Sequence, residues 1–239
     1  MSEVPPYRAD WIEVDAPHDG DDVNIADRYV VRLRDGSALG LPLTPLPGGQ
    51  QAVALLMSNQ TSFLVERKLV ERLNELARDA LPEAIVGVPT LGLPYARAVA
   101  ERLGLADFVA LGFSRKFWYD DGWSERVVSS TSPDQNKKIY LDPALLERVQ
   151  HRRVVIVDDV LNTGGTMSAV IRLLQRAHAR PVRIVVVLTE GWQWHRALSR
   201  LDPAMPTLVQ ALGHIPIFAR AASGWAPIPD TGADGRPAG

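Results

Sequence analysis

The 239-residue sequence contains no cysteine, so it can form no disulfide bond, no thiolate nucleophile and no cysteine-ligated metal site. Neither sign of charge is in large excess: the formal net charge is -2, which gives no indication of a nucleic-acid partner. No apolar run approaches the length of a membrane span. The first residues also lack the basic-then-apolar pattern of a signal peptide. We therefore expect a cytoplasmic protein that engages neither a membrane nor a nucleic acid.

What is present indicates one α/β domain with small additions, since 46% of the residues are hydrophobic and 23% are charged. Residues 1–60 read as an N-terminal extension that contains a β-hairpin, with strands near 28–33 and 38–43. Residues 61–220 read as the core, ending in a hood segment. Residues 221–239 are rich in proline, glycine, alanine and aspartate, and we expect a disordered tail there.

The chain is organised around residues 154–166. Val154, Val155, Ile156 and Val157 are typical of a strand buried on both faces, and Asp158-Asp159 follows where that strand should emerge. The Thr-Gly-Gly-Thr turn at 163–166 comes just before a helical pattern. Unpaired backbone N–H groups and the positive end of a helix dipole favour an anion there, and glycine lets the backbone approach it closely. The stretch therefore predicts a bound phosphate beside carboxylates that can hydrogen-bond sugar hydroxyls.

This stretch resembles the 5-phosphoribosyl-1-pyrophosphate (PRPP) signature of type I phosphoribosyltransferases: four apolar residues, two acidic residues, a few mostly apolar residues, then Thr-Gly-Gly-Thr. The resemblance covers roughly residues 84–218. It implies an α/β fold, with a mainly parallel sheet, helices on both faces and a small hood. It also implies transfer of the phosphoribosyl group of PRPP to a nitrogenous base, with release of pyrophosphate, in a homodimer that uses Mg²⁺.

The resemblance also implies roles for individual residues. Asp158 and Asp159 would hold the ribose hydroxyls and, through PRPP, the Mg²⁺ ion. The 5′-phosphate would lie in the turn that follows. The residues implied to bind that phosphate are Asn162, Thr163, Gly164, Gly165 and Thr166.

Two further segments carry expected functional residues. A strand–loop–helix unit precedes the signature, with the strand at 84–88, the loop at 89–92 and the helix at 94–103. In the family this loop binds pyrophosphate, which here implies Pro89, Thr90, Leu91 and Gly92. Residues 113–138 form an unusually long connection, which matches the family's flexible loop. The basic pair at its start, Arg115 and Lys116, is the predicted catalytic pair.

The acceptor base is less determined by the sequence. Hypoxanthine–guanine enzymes carry an aspartate where this chain has Asn162, and orotate enzymes usually carry a lysine where it has Leu91. The layout is closest to adenine- or xanthine-type enzymes, which favours a purine. Trp192, Ile215 and Phe218 are the candidate base contacts. A non-catalytic PRPP-sensing regulator and an orotate-type pyrimidine enzyme remain as alternatives.

Overall fold

The structure is a computed structural model that describes residues 7–13, 27–127 and 137–235. Its strands are β1 (Asp10–Ile12), β2 (Arg28–Arg32), β3 (Ala38–Pro45), β4 (Gln51–Ala54), β5 (Ala84–Gly87), β6 (Val109–Ala110), β7 (Ser124–Arg126), β8 (Lys138–Tyr140), β9 (Arg153–Leu161), β10 (Arg180–Glu190), β11 (Val209–Ile215), β12 (Phe218–Ala221) and β13 (Gly224–Pro227). Its α-helices are α1 (Phe63–Arg78), α2 (Gly92–Arg102), α3 (Gly165–Arg176) and α4 (Gln193–Ser199).

The core is a five-stranded sheet in the order β11-β10-β9-β5-β6, and every neighbouring pair in it is parallel. Helices α1 and α2 pack on one face, in one hydrophobic cluster, and α3 and α4 pack on the other. Parallel strands need crossover connections, and α2, α3 and α4 provide three of them, between β5 and β6, β9 and β10, and β10 and β11. The predicted α/β class, with a parallel sheet and helices on both faces, is confirmed.

Strand β9 lies at the middle of this sheet because both of its faces are apolar. Val155 and Val157 face the α1–α2 side, whereas Val154 and Ile156 face the α3 side. All four are fully buried. The strand does not end at the acidic pair as the sequence predicted: it continues through Asp158 and Asp159 to Leu161, paired to β10 on the way.

A second sheet, which we call the outer sheet, joins the two ends of the chain. Its order is β1-β3-β4-β12-β13, with β2 paired to β3. The predicted hairpin is present as β2 and β3, with Asp35-Gly36 in its turn. The hairpin and the hood segment were predicted as separate additions, but the antiparallel pairing of β12 with β4 makes them one structure.

The disordered tail predicted from residue 221 is wrong as far as Gly235. Residues 224–227 form β13, which pairs with β12, and the Trp225 ring is only 3% exposed. The Arg220 guanidinium lies 4.8 Å from the centre of that ring. One large aromatic side chain therefore anchors a segment whose composition otherwise suggested disorder. Residues 236–239 lie outside the described residues.

Local interactions account for the start of α1 and for an irregularity in β10. Helix α1 begins at Phe63 because the Ser62 side chain accepts a hydrogen bond from the Val65 N–H. Pro181 lies inside β10, at a shift in the pairing register with β9. Within the described residues, no helix is both long and apolar enough to cross a membrane.

Candidate active site

The candidate site lies at the carboxyl edge of the parallel sheet, where β5, β9 and β10 end side by side. Three segments meet there: residues 88–92 after β5, residues 158–166 at the end of β9, and residues 189–192 at the end of β10. Loops at this edge of an open α/β sheet form the usual ligand crevice. The fold thus brings together the acidic pair and both predicted phosphate-binding segments.

The acidic pair is largely withdrawn from water. The Asp158 side chain is buried, Asp159 is half-buried, and the Asp159 N–H donates to Asp158 Oδ1 at 2.9 Å. Burial raises the pKa of both carboxyls, and the Asp159 carboxylate raises the pKa of Asp158 further. A bound cation or hydroxyl donors would stabilise the ionised form of this pair, because they would offset the repulsion between its two negative charges.

The Thr-Gly-Gly-Thr turn forms the start of α3 as predicted. Gly164 is the N-cap residue, with a φ of 80° that favours glycine, and it has no side chain to cap the helix; the Gly165 N–H donates only a long hydrogen bond, 3.5 Å, to Thr163 Oγ1. A Cβ on Gly164 would lie 2.9 Å from the Trp194 Cα, so α4 packs directly against the turn. The Trp194 N–H also donates to the Asn162 carbonyl at 3.1 Å. Helix α4 therefore fixes the shape of the predicted phosphate cradle.

The loop at 89–92 lies against the acidic pair. Helix α2 begins at Gly92, two residues earlier than predicted, and Leu91 offers no side-chain cap to its first N–H groups. The Pro89–Thr90 peptide bond is cis. Ser58 Oγ donates to the Leu91 carbonyl at 2.6 Å, which ties the loop to the segment after β4. A second set of helix-start donors thus faces the same edge of the sheet.

The predicted catalytic pair, Arg115 and Lys116, lies in the long connection after β6, and both side chains are exposed. Arg115 forms an ion pair with Asp121 at 3.3 Å. The strands β7 and β8 then form a small antiparallel ribbon, while residues 128–136 of the same connection lie outside the described residues. The catalytic role of Arg115 and Lys116 stays a prediction.

The three candidate base contacts lie in different environments. Trp192 is half-buried: its ring stacks on His214 with centroids 4.5 Å apart, and its Nε1 donates to the Gly232 carbonyl. Ile215 and Phe218 are 1% and 0% exposed and belong to the core between the two sheets. Phe218 packs edge-on against Tyr29. Their side chains fill the core, so the structure contradicts the prediction that they contact a base.

Several residues at this edge were missed by the sequence reading. Glu190, the last residue of β10, is 4% exposed, and burial raises its pKa to about 7 even though the nearby Asn162 side chain acts to lower it. Tyr7 and Tyr95 lie near the acidic pair, since the Asp159 charge adds to the effect of burial in raising the pKa of each. The sequence feature that could have indicated Glu190 is an acidic residue at the end of an otherwise apolar strand.

The carboxylates at this site fit a Mg²⁺ ion that binds together with the substrate. Asp158 and Asp159 supply carboxylate oxygens, the ligands that Mg²⁺ prefers. Among residues 7–13, 27–127 and 137–235, no three acidic, histidine or cysteine side chains converge into a metal cage. Mg²⁺ typically takes one or two carboxylates and completes its shell with phosphate oxygens and water, which this arrangement allows.

Comparison with known proteins decides the family. A family model described as "Phosphoribosyl transferase domain" matches residues 55–199, more than half of the chain. The chain belongs to the phosphoribosyltransferase family. The matched region holds the acidic pair, the Thr-Gly-Gly-Thr turn and the loop at 89–92.

Within the family, the chain is similar to proteins of different activity. It is 33% identical over 152 residues to the adenine phosphoribosyltransferase of Carboxydothermus hydrogenoformans, covering 62% of this chain and 82% of that protein. It is 32% identical over 130 residues to the probable purine biosynthesis transcriptional regulator PurR of Streptococcus pneumoniae, covering 54% of this chain. The chain spans 45% of that regulator's length.

Solved structures of adenine phosphoribosyltransferases share the fold. The Giardia lamblia enzyme, complexed with 9-deazaadenine, gives a TM-score of 0.58 at 20% identity, over 73% of this chain and 93% of that one. The Rhodothermus marinus enzyme gives 0.56 at 23% identity, over 73% and 94%. At these identities the likeness shows the phosphoribosyltransferase fold alone.

Proposed function

We propose that the protein transfers the 5-phosphoribosyl group of PRPP to a nitrogenous base, giving a nucleoside 5′-monophosphate and pyrophosphate. The observation that carries the proposal is that Asp158 and Asp159 lie between two helix starts, those of α2 and α3. The start of α2 fits the pyrophosphate of PRPP, and the start of α3 fits its 5′-phosphate. The carboxylates between them fit the ribose.

In the proposed reaction, a nitrogen of the base bonds to C1 of PRPP while the bond from C1 to the pyrophosphate oxygen breaks. Pyrophosphate leaves with the bonding electrons, and the base loses its N–H proton. The turn at 163–166 holds the 5′-phosphate and so fixes C1 for attack. Asp158 and Asp159 accept hydrogen bonds from the ribose hydroxyls. Backbone N–H groups at 89–92 and the Lys116 ammonium lie against the departing pyrophosphate.

Mg²⁺, when bound with PRPP, supplies positive charge that stabilises the leaving pyrophosphate. Asp158 and Asp159 are the residues of this chain that hold it. Their burial keeps water away and strengthens each electrostatic contact that they make with the substrate.

A purine is the proposed acceptor. The adenine enzyme of Carboxydothermus supports it, and so does the hypoxanthine/guanine enzyme of Methanosalsum zhilinae, which is 29% identical over 131 residues. Trp192, at the edge of the site, offers an aromatic surface to the base. A homodimer, in which the loop of one subunit reaches the site of the other, completes the proposal. Light scattering that gives a monomer mass at assay concentration would contradict the dimer.

The second candidate is a regulator that binds PRPP without turnover, and the similarity to the PurR regulator favours it. Such a protein would keep the two phosphate sites and the acidic pair. It would differ in showing saturable PRPP binding and no product with any base.

A panel of free purines and pyrimidines with PRPP and Mg²⁺, read by pyrophosphate release, tests both candidates. We expect release with at least one purine, and its loss in Asp158→Asn with base binding retained. Arg67→Ala, an exposed change on α1, is the control and should match the wild type. PRPP binding without release for any base would support the regulator instead.

A further inference from the structure

The turn at 57–61, which leads from β4 towards α1, holds the loop at 89–92 through one buried hydroxyl. The Ser58 side chain is 4% exposed, and its Oγ donates to the Leu91 carbonyl at 2.6 Å. Leu91 is the residue before helix α2 and lies in the predicted pyrophosphate loop. Because 33 residues separate the two partners, this hydrogen bond is a tertiary contact and belongs to neither turn alone.

The turn that carries Ser58 is itself held in place on two sides. The Gln60 and Thr61 N–H groups both donate to the Met57 carbonyl, at 2.9 and 3.1 Å. The Thr61 hydroxyl donates to the Ser58 carbonyl at 2.9 Å. The Met57 N–H donates to the Tyr7 hydroxyl, also at 2.9 Å, which ties the turn to the N-terminal segment. The Ser58 hydroxyl therefore extends from a fixed support.

The peptide unit between Leu91 and Gly92 carries this position to the site. Its bond is trans, so the unit is planar, and its C=O and N–H point in opposite directions. By holding the Leu91 carbonyl, Ser58 fixes the direction of the Gly92 N–H. No group in the described part of the chain accepts that N–H, although Gly92 is buried against Asp158. Buried N–H groups nearly always have an acceptor, so this one is available to a ligand.

We propose that Ser58 is a positioning residue for the pyrophosphate group of PRPP. It holds the Leu91 peptide so that the Gly92 N–H, at the start of α2, is directed at the phosphate oxygens. The Ser58 hydroxyl has one proton and gives it to Leu91, so Ser58 acts through the loop and not on the substrate. This inference rests on the proposed function and assigns a residue to the pyrophosphate part of its site.

Three ligands separate this role from a general loss of structure. PRPP and pyrophosphate both use the loop at 89–92. Ribose 5-phosphate lacks the pyrophosphate and uses the acidic pair and the turn at 163–166. Isothermal titration calorimetry with Mg²⁺ measures all three. In Ser58→Ala, we expect the Kd for PRPP and for pyrophosphate to rise about tenfold, which corresponds to about 1.4 kcal/mol for one hydrogen bond. The Kd for ribose 5-phosphate should not change.

Two further variants control for packing and for the loss of any hydroxyl. Ser58→Cys nearly keeps the side-chain volume but donates weakly, so it should show the same selective loss without a cavity. It also carries the comparison if Ser58→Ala does not fold. In the control variant Thr207→Ala, the hydroxyl that is lost donates to the Ala204 carbonyl, also at 2.6 Å, at the amino end of β11. This variant should bind all three ligands as the wild type does.

Each outcome decides between the inference and the proposed function. Wild-type affinity for PRPP in both Ser58 variants, or a loss shared equally by ribose 5-phosphate, would overturn the inference and leave the proposed function standing. A selective loss of affinity for PRPP and pyrophosphate, in a protein that releases pyrophosphate with no base, would support the inference and overturn the proposed function. A wild-type protein that binds neither PRPP nor pyrophosphate would overturn both.

Discussion

Gly92 lies in direct contact with Asp158. A Cβ built on Gly92 would stand 2.7 Å from Asp158 Oδ1 and 2.8 Å from the Asp158 Cα, distances that real Cβ atoms do not tolerate. The first residue of α2 must therefore be glycine for the loop at 89–92 to reach the acidic pair.

Gly92→Ala should move the loop away from the acidic pair, and kcat/KM for PRPP should fall by about 10², the usual effect of a displacement near 1 Å. Gly112→Ala is the matched control, because a Cβ there meets nothing within 4 Å. Steady-state kinetics on both variants, with thermal melts to confirm folding, make the comparison. Equal kinetics in the two variants would mean that the contact has no bearing on PRPP.

Gly164 and Gly104 give a second matched pair. Both have a positive φ, 80° and 74°, but a Cβ on Gly164 would meet Trp194 and Ala197 whereas one on Gly104 meets nothing within 4 Å. Gly104→Ala should cost about 1 kcal/mol through backbone conformation alone. Gly164→Ala should cost about 1–3 kcal/mol more from the added clash with α4. Urea unfolding measures both, and similar losses in the two variants would contradict the packing of α4 on the turn.

Lys116 should act in turnover more than in binding. We expect Lys116 to approach the departing pyrophosphate once PRPP has bound, an interaction that would be stronger in the transition state than in the ground state. Lys116→Ala should lower kcat by roughly 10²–10³ and change KM for PRPP much less. Arg67→Ala serves again as the surface control. Normal kcat in Lys116→Ala, on a base that the wild type uses, would rule out this role.

Glu190 should make the protein less stable as the pH rises. Burial raises its pKa from 4.5 to about 7, so the folded protein binds this proton more tightly than the unfolded chain does. The resulting stabilisation is complete below about pH 4.5 and is lost as the pH rises through about 7, by about 3 kcal/mol at most. Glu190→Gln should escape this loss.

Unfolding of both proteins by urea at about pH 5 and about pH 8 checks the prediction. The gain of Glu190→Gln over the wild type should be larger at the higher pH. A difference between the two proteins that does not change with pH would show that Glu190 ionises normally when folded. The exposed variant Glu101→Gln should show no pH-dependent difference from the wild type.

The sequence was most informative where one local pattern carried both the fold and the chemistry. The apolar run at 154–157 and the turn at 163–166 together predicted the central parallel strand and the start of α3, because both depend on short-range rules. The outer sheet, in contrast, could not be predicted from local patterns. The pairing of β4 with β12 joins residues far apart in the chain, and no local pattern records it. The short strand β12 also took Phe218 into the core, where the sequence had placed it at the site.

The individual site contacts were also beyond local reading. Gly92, the first residue of α2, packs on Asp158 of β9, and burial at the end of β10 raises the pKa of Glu190. The pKa of a carboxyl likewise depends on what buries it, which the sequence alone does not state. Residue types were thus predictable at this edge of the sheet, whereas their pairings were not.

The shared outer sheet has a consequence for synthesis on the ribosome. Strands β1 to β4 leave the ribosome early, but their partner β12 emerges only after the whole parallel core has been made. Contacts so distant in sequence form late, after the loop between them has been closed. The core with its phosphate cradles can therefore assemble first. The edge of β4 that pairs with β12 therefore stays open until the last part of the chain has been made, and an open strand edge is a site where other chains can pair.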